Sequence, residues 1–125
     1  MSKSIMIIDD EPQWLTWLTD WLSNTGVNYE VYLSLREAAA AIESGKRPHL
    51  IITDFHMGRQ NGDAVARYIR EEYPYIPVVL HSGDPGVSQC RGMFIKICDK
   101  GNPPQLINFL KEWLHEPGTE IQRRQ

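Results

Sequence analysis

The 125-residue sequence predicts an α/β fold in which helices cover both faces of a parallel β-sheet. The first reason is that short apolar runs alternate with amphipathic segments along almost the whole chain. The second reason is that these runs are apolar at consecutive positions, as in strands that are buried on both faces. The third reason is composition, because 42% hydrophobic and 23% charged residues suit a globular core.

The first strand is predicted at Ser4–Ile8, and Pro12 then opens a helix that should run to about residue 24. The apolar residues of this helix cover a wide arc, so its tryptophans at positions 14, 17 and 21 are assigned to the core. Leu15 and Trp17 lie at the two edges of that arc. An exposed side chain there, Leu15 above all, would mark a surface for a partner protein.

The middle of the chain predicts two more strands and two more helices. Residues 29–32 form the second strand, and Ser34 and Glu37 form a capping box that opens the second helix. Leu50–Thr53 is the third strand, and residues 62–73 form the third helix.

The last third of the chain continues the alternation with strands at residues 78–81 and 94–98 and a helix at Pro103–Leu114. The apolar arc of this last helix is as wide as that of the first helix, so the two helices are expected side by side on one face of the sheet. Barely a dozen residues connect Ser82 to Phe94, so the fourth helix should be short or missing. We therefore expect one domain at residues 1–115 and a polar tail or linker at 116–125.

Composition excludes several classes of function. A net charge of −3 gives no basic field for direct contact with nucleic acid. No apolar run approaches the roughly 20 residues of a membrane span, and no signal peptide is visible, so we expect a cytoplasmic protein. Cys90 and Cys98 lack metal-site spacing and are expected to be free, buried thiols.

Polar residues follow the predicted strands where each strand ends. Asp9 and Asp10 follow the first strand, Asp54 the third, Ser82 the fourth and Lys100 the fifth. Because the carboxyl ends of parallel strands meet at one edge of a sheet, all five can point into one crevice. Three carboxylates suit a hard cation such as Mg²⁺, and a carboxylate beside a cation, a hydroxyl and an ammonium can accept a phosphoryl group.

These residues resemble the receiver domains of two-component response regulators, in order and in spacing, over residues 4–114. The matching motifs are Ile7-Ile8-Asp9-Asp10-Glu11-Pro12, Asp54-Phe55-His56-Met57 with Gly62, His81-Ser82-Gly83, and Lys100. The resemblance implies a three-layer, doubly wound, five-stranded sheet of flavodoxin-like order 2-1-3-4-5.

The resemblance also implies a role for each residue at the carboxyl edge. Asp54 would be the phosphoacceptor, and Ser82 and Lys100 would sense the phosphoryl group. His56 and Asp84 would flank that group and set its lifetime. The implied ligands of Mg²⁺ (or Mn²⁺) are Asp10, Asp54 and the backbone carbonyl of His56, with Asp9 acting through water.

The implied partners are a histidine kinase or phosphotransfer protein as donor, and an output domain or downstream protein as target. The resemblance allows a homodimer, and it implies neither membrane nor direct nucleic-acid contact. Such a domain is not a metabolic enzyme, because it catalyses only its own phosphorylation and dephosphorylation.

The sequence departs from the family pattern at three positions. Gly58 stands where proline is usual, Ile97 replaces the usual aromatic switch residue, and Gly101 replaces a proline that is usually preceded by a cis bond. A cis bond without proline costs about 2.5–4 kcal/mol, so a trans bond is expected here. These changes fall on the usual output face.

Two other functions fit parts of the pattern. A pseudo-receiver adaptor would keep the fold and bind partners without phosphorylation, which the altered output face favours and the acidic set opposes. An aspartyl-nucleophile phosphatase usually has a second aspartate two residues after the nucleophile, but that position is His56.

Overall fold

Five parallel strands form one sheet in the computed structural model, which describes residues 3–115. The strands are β1 (Ser4–Ile8), β2 (Asn28–Tyr32), β3 (Leu50–Thr53), β4 (Val78–Ser82) and β5 (Lys96–Asp99). Their order is β2-β1-β3-β4-β5, so the predicted order is confirmed. The predicted tail at residues 116–125 lies outside the described residues.

Two helices cover each face of the sheet. The four helices of the described chain are α1 (Thr16–Thr25), α2 (Leu35–Glu43), α3 (Gly62–Glu72) and α4 (Pro103–Leu114). Helices α1 and α4 share one buried cluster with Ile5, Ile7 and Ile52 of the sheet. Helices α2 and α3 pack on the opposite face. The prediction that the first and last helices share a face is therefore confirmed.

The start of the first helix differs from the prediction. Residues Pro12–Leu15 form a 3₁₀ turn, and α1 begins only at Thr16. A 3₁₀ turn has three residues per turn, so the side chains before Thr16 leave the phase of the α-helix. Trp14 is consequently 58% exposed, whereas Leu15 is 1% exposed. The assignment of Trp14 to the core and the choice of Leu15 as a surface residue were both wrong.

The predicted cap of α2 is confirmed. The Ser34 Oγ accepts a hydrogen bond from the Glu37 backbone N–H at 3.1 Å. The Glu37 carboxylate in turn accepts from the backbone N–H of Leu33 at 3.3 Å. These two bonds satisfy donors that a helix N-terminus would otherwise leave open.

The connection between β4 and β5 contains two 3₁₀ turns, Pro85–Val87 and Arg91–Met93, in place of an α-helix. The prediction that the helix between the fourth and fifth strands would be short or missing is confirmed. Strand β5 begins at Lys96 rather than at Phe94, because Phe94 instead buries its ring in the core beside α3. The Lys100–Gly101 bond is trans, as expected.

Between β3 and α3 the loop forms a short antiparallel hairpin that pairs His56–Met57 with Gln60–Asn61. Gly58 turns this hairpin with φ of +59°, a left-handed conformation that proline cannot adopt.

Of the two cysteines, Cys98 is buried as expected, but Cys90 is only half-buried. Among residues 3–115 no helix has both the length and the hydropathy to cross a membrane.

Candidate functional site

The three predicted carboxylates meet at the carboxyl edge of the sheet. Asp9 and Asp10 follow β1, and Asp54 follows β3, which pairs with β1 in parallel register. One carboxylate oxygen from each residue lies within 4.8 Å of the other two. Asp9 and Asp54 are buried, with 1% and 4% of their surfaces exposed, whereas Asp10 is exposed. The sequence prediction that these residues converge is confirmed.

Lys100 lies between the two buried carboxylates. Its Nζ is 2.7 Å from Asp9 Oδ2 and 3.4 Å from Asp54 Oδ2. Only 13% of the Lys100 side chain is exposed, so this ammonium is screened from bulk water. Three carboxylates around one ammonium still leave an excess of negative charge in the crevice.

Backbone donors hold the two buried carboxylates in fixed orientations. The Glu11 N–H donates to Asp9 Oδ1 at 2.8 Å, and the Phe55 N–H donates to Asp54 Oδ1 at 2.7 Å. Burial raises the pKa of Asp9 above its usual value, although the hydrogen bonds from Lys100 and Glu11 act in the opposite direction. Desolvation by burial therefore outweighs the contacts with Lys100 and Glu11 in setting the pKa of Asp9.

Ser82 ends β4, is fully buried, and lies beside β5, the strand that Lys100 follows. The backbone N–H of Lys100 donates to the Ser82 carbonyl at 2.9 Å. The Ser82 Oγ accepts a hydrogen bond from the Asp84 N–H at 3.0 Å, so its own hydrogen is available to donate. The structure thus brings Ser82 and Lys100 to the same edge as the three carboxylates.

Gly62 lets α3 approach the Asp54 segment closely. Its N–H donates to the Phe55 carbonyl at 2.8 Å, and a Cβ at this position would lie 2.8 Å from the Asp54 carbonyl oxygen. Asn61 caps the helix, since its Oδ1 accepts from the Ala64 N–H at 3.0 Å. The start of α3 therefore supports the backbone that carries Asp54.

An open pocket of about 430 Å³ lies above the crevice. Asp54, Lys100 and Gly83 line it, together with His56 and Asp84, the two residues expected to flank a phosphoryl group. The exposed Trp14 forms part of its wall, which sequence reasoning missed because the 3₁₀ turn could not be foreseen. The backbone carbonyl of His56 as a metal ligand stays a prediction.

The donor set at this edge fits Mg²⁺. Carboxylate oxygens are the ligands that hard cations select, and this cluster offers three of them from two adjacent strands. None of the three donors is a nitrogen or sulfur atom, which zinc would favour. The excess negative charge beside Lys100 also favours a bound cation.

His81, which belongs to a matching motif but received no role from the sequence, is a buried group. It is 1% exposed, and neither ring nitrogen has a hydrogen-bond partner within residues 3–115. Its ring meets the edge of Trp17 with centroids 5.7 Å apart. Burial lowers the pKa of His81 to about 4, and the nearby Lys100 charge acts in the same direction.

The fold and the site together define a class, namely doubly wound α/β proteins with an acidic crevice at the carboxyl edge of the sheet. The family model described as the response regulator receiver domain matches residues 5–92. The chain therefore belongs to the response regulator receiver family.

Solved structures show the same fold. A signal receiver domain of an HD domain-containing protein from Pseudomonas fluorescens Pf-5 has a TM-score of 0.82 at 20% identity, covering 98% of this chain and 93% of its own. The response regulator TrrA from Thermotoga maritima, in complex with Mg²⁺-BeF, has a TM-score of 0.77 at 24% identity, covering 88% and 97%. The receiver domain of NtrX from Brucella abortus has a TM-score of 0.76 at 26% identity, covering 90% and 98%.

Proposed function

We propose that this receiver domain accepts a phosphoryl group on Asp54 from the phosphohistidine of a histidine kinase or phosphotransfer protein. The observation that carries the proposal is the placement of Lys100 Nζ within 3.4 Å of both buried carboxylates, beside a three-carboxylate cluster. A lone capping aspartate would need neither the lysine nor the acidic neighbours.

The hydrogen bonds of Asp54 support a different role for each of its two oxygens. Oδ1 is held by the Phe55 N–H, which leaves Oδ2 to form the bond to phosphorus as the phosphorus–nitrogen bond of the donor imidazole breaks. The leaving imidazole keeps the electron pair of that bond and takes up a proton from water. Lys100, 3.4 Å from Oδ2, stabilises the negative charge on the phosphoryl oxygens, and the Ser82 hydroxyl can donate to one of them.

We propose Mg²⁺ (or Mn²⁺) as the cofactor because the cluster offers only oxygen donors and an excess of negative charge. Asp10, Asp54 and the backbone carbonyl of His56 would hold the ion, with Asp9 bound through water. The bound ion would supply positive charge against the phosphoryl oxygens.

Acetyl phosphate with Mg²⁺ tests the proposal without knowledge of the kinase. Intact-mass spectrometry of the wild type should show the gain of one phosphoryl group, and Asp54→Asn should show none. Asp20→Asn makes the same chemical change at an exposed position of α1 and should be phosphorylated like the wild type. Equal mass gain in Asp54→Asn and the wild type would rule out Asp54 as the acceptor.

The altered output face favours a second candidate, a pseudo-receiver adaptor that binds partners without phosphoryl chemistry. The connection from β4 to β5 has no α-helix, and residue 97 is an isoleucine. The same experiment separates the two functions, because an adaptor predicts no mass gain in the wild type. For either function we propose that residues 1–115 form the interacting domain and that residues 116–125 serve as a tail or linker. We propose that its target is an output domain or a downstream protein, and that it acts in the cytoplasm.

A further inference from the structure

The connection between β4 and β5 is held to the rest of the protein at few points. Of residues 83–95, only Ser88 and Phe94 are buried. Phe94 is apolar and packs into the core beside α3. Ser88 is polar, and only 5% of its surface is exposed, so its burial requires a hydrogen-bond partner.

That partner is Asp63 in the first turn of α3, a carboxylate that is itself only 5% exposed. The Ser88 hydroxyl donates to Asp63 Oδ1 at 2.6 Å, and the Gln89 N–H donates to Asp63 Oδ2 at 3.0 Å. The Ser88 Oγ also accepts from the Cys90 N–H at 3.1 Å. One buried carboxylate therefore fixes Ser88 and Gln89 directly, and Cys90 through the Ser88 hydroxyl, in a connection that lacks an α-helix.

Asp63 is joined to the Asp54 segment from one side. It directly follows Gly62, whose N–H donates to the carbonyl of Phe55, the residue after Asp54. From the other side, Ser88 directly follows the Pro85–Val87 turn, which is tied to Asp84 by a 3.3 Å backbone bond. The Asp84 N–H in turn donates to Ser82 Oγ at 3.0 Å.

These bonds form a path from the segment that follows Asp54, through Asp63 and Ser88, to Asp84 and Ser82. A movement of Ser82 or Asp84 towards a group on Asp54 would pull on Ser88. Because Asp63 anchors Ser88 to α3, that movement would be passed on to the connection as a whole and not absorbed in a loose loop.

We propose that Asp63 is a positioning residue of the switch, a latch that holds residues 83–95 against α3 and couples this connection to the state of Asp54. The coupling rests on the proposed function, whereas the latch in the resting protein does not. In this chain the latched connection takes the place of an α-helix between β4 and β5 on the output face.

Hydrogen exchange measured by mass spectrometry tests the latch in the unphosphorylated protein. Asp63→Asn keeps the shape of the side chain but loses one of its two acceptors and its charge, so amides 88–90 should exchange roughly tenfold faster or more. Ser88→Ala should accelerate exchange in the same amides. The strands β3 and β4 should be unaffected, and Asp20→Asn should match the wild type throughout. Unchanged exchange at 88–90 in both Asp63→Asn and Ser88→Ala would overturn the latch.

Beryllofluoride with Mg²⁺, a mimic of the phosphoryl group, tests the coupling. Fluorine NMR first establishes that the probe binds both the wild type and Asp63→Asn. Binding should then change the exchange of residues 83–95 in the wild type, and this change should be lost in Asp63→Asn. A purely structural role for Asp63 would leave the probe-induced change intact, and that result would overturn the coupling.

The two proposals fail in different ways. Failure of beryllofluoride to bind the wild type would overturn the proposed function and the coupling together. Unchanged resting exchange in both latch variants would overturn the latch alone, because that measurement involves no phosphoryl chemistry.

Discussion

Gly62→Ala should damage the proposed phosphoacceptor site without changing any of its side chains. A Cβ at residue 62 would lie 2.8 Å from the Asp54 carbonyl oxygen and 3.1 Å from the Phe55 Cα, two backbone atoms that cannot rotate away. It would also lie 3.0 Å from the Leu80 Cδ1 in the core. The start of α3 must therefore move away from the end of β3, or the Asp54 segment must shift.

The size of the effect follows from two opposing contributions. Overpacking of a tight site costs about 1–3 kcal/mol, whereas replacing glycine by alanine restricts the unfolded chain and returns about 0.4–1 kcal/mol. We expect the free energy of unfolding to fall by about 1–2 kcal/mol. For a chain of this length that corresponds to a decrease in Tm of about 4–8 °C.

Gly92→Ala is a matched control, because a Cβ there meets no atom within 4 Å and the residue has no positive φ. Calorimetry and urea denaturation should show a Tm equal to or slightly above that of the wild type for Gly92→Ala. The Gly62→Ala variant should also accept phosphate from acetyl phosphate more slowly, since the Asp54 backbone has shifted. A Gly62→Ala protein as stable as Gly92→Ala, and phosphorylated as fast, would refute the close-approach argument.

Two further predictions concern protons and cations. The pKa of His81 is about 4 in the fold, against about 6.5 in the unfolded chain, so the folded protein keeps this side chain neutral. Below pH 6.5 the unfolded chain takes up a proton that the folded protein does not. The free energy of unfolding therefore falls as the pH drops from 6.5 towards 4. Urea denaturation should show about 2 kcal/mol less stability from this group at pH 5 than at pH 7; an equal loss in His81→Leu would exclude His81 as the cause. Mg²⁺ at ten times its dissociation constant should add about 1.4 kcal/mol to the free energy of unfolding. Thermal titration should show a much smaller gain in Asp54→Asn, and an equal gain would place the ion elsewhere.

The convergence of Asp9, Asp10, Asp54, Ser82 and Lys100 was predictable because strand direction fixes it. Each residue follows an apolar run, and in a parallel sheet all such ends lie at one edge. The order β2-β1-β3-β4-β5 matters as well, because it makes the strands before Asp9 and Asp54 neighbours. The roles that we assign to these residues remain proposals.

The error at Trp14 and Leu15 arose from a local change of geometry. The sequence pattern of residues 12–24 fits one continuous helix, and Pro12 does start helical structure. A 3₁₀ turn before Thr16 rotates the first side chains relative to α1, and no residue in the pattern announces it. Periodicity alone therefore assigned Trp14 to the core and favoured Leu15 as the exposed residue, the reverse of what the structure has.

By itself the sequence determined the parallel α/β fold, the lack of a full helix between β4 and β5, and the edge at which the acidic residues meet. These features depend on apolar periodicity, chain length and strand direction, all of which are local or additive along the chain. Only the tertiary structure decided that Lys100 bridges Asp9 and Asp54, that His81 is buried without a partner, and that Asp63 holds Ser88. These contacts join residues between 25 and 91 positions apart or depend on the packing around one side chain, and no pattern along a single chain specifies which distant groups will touch.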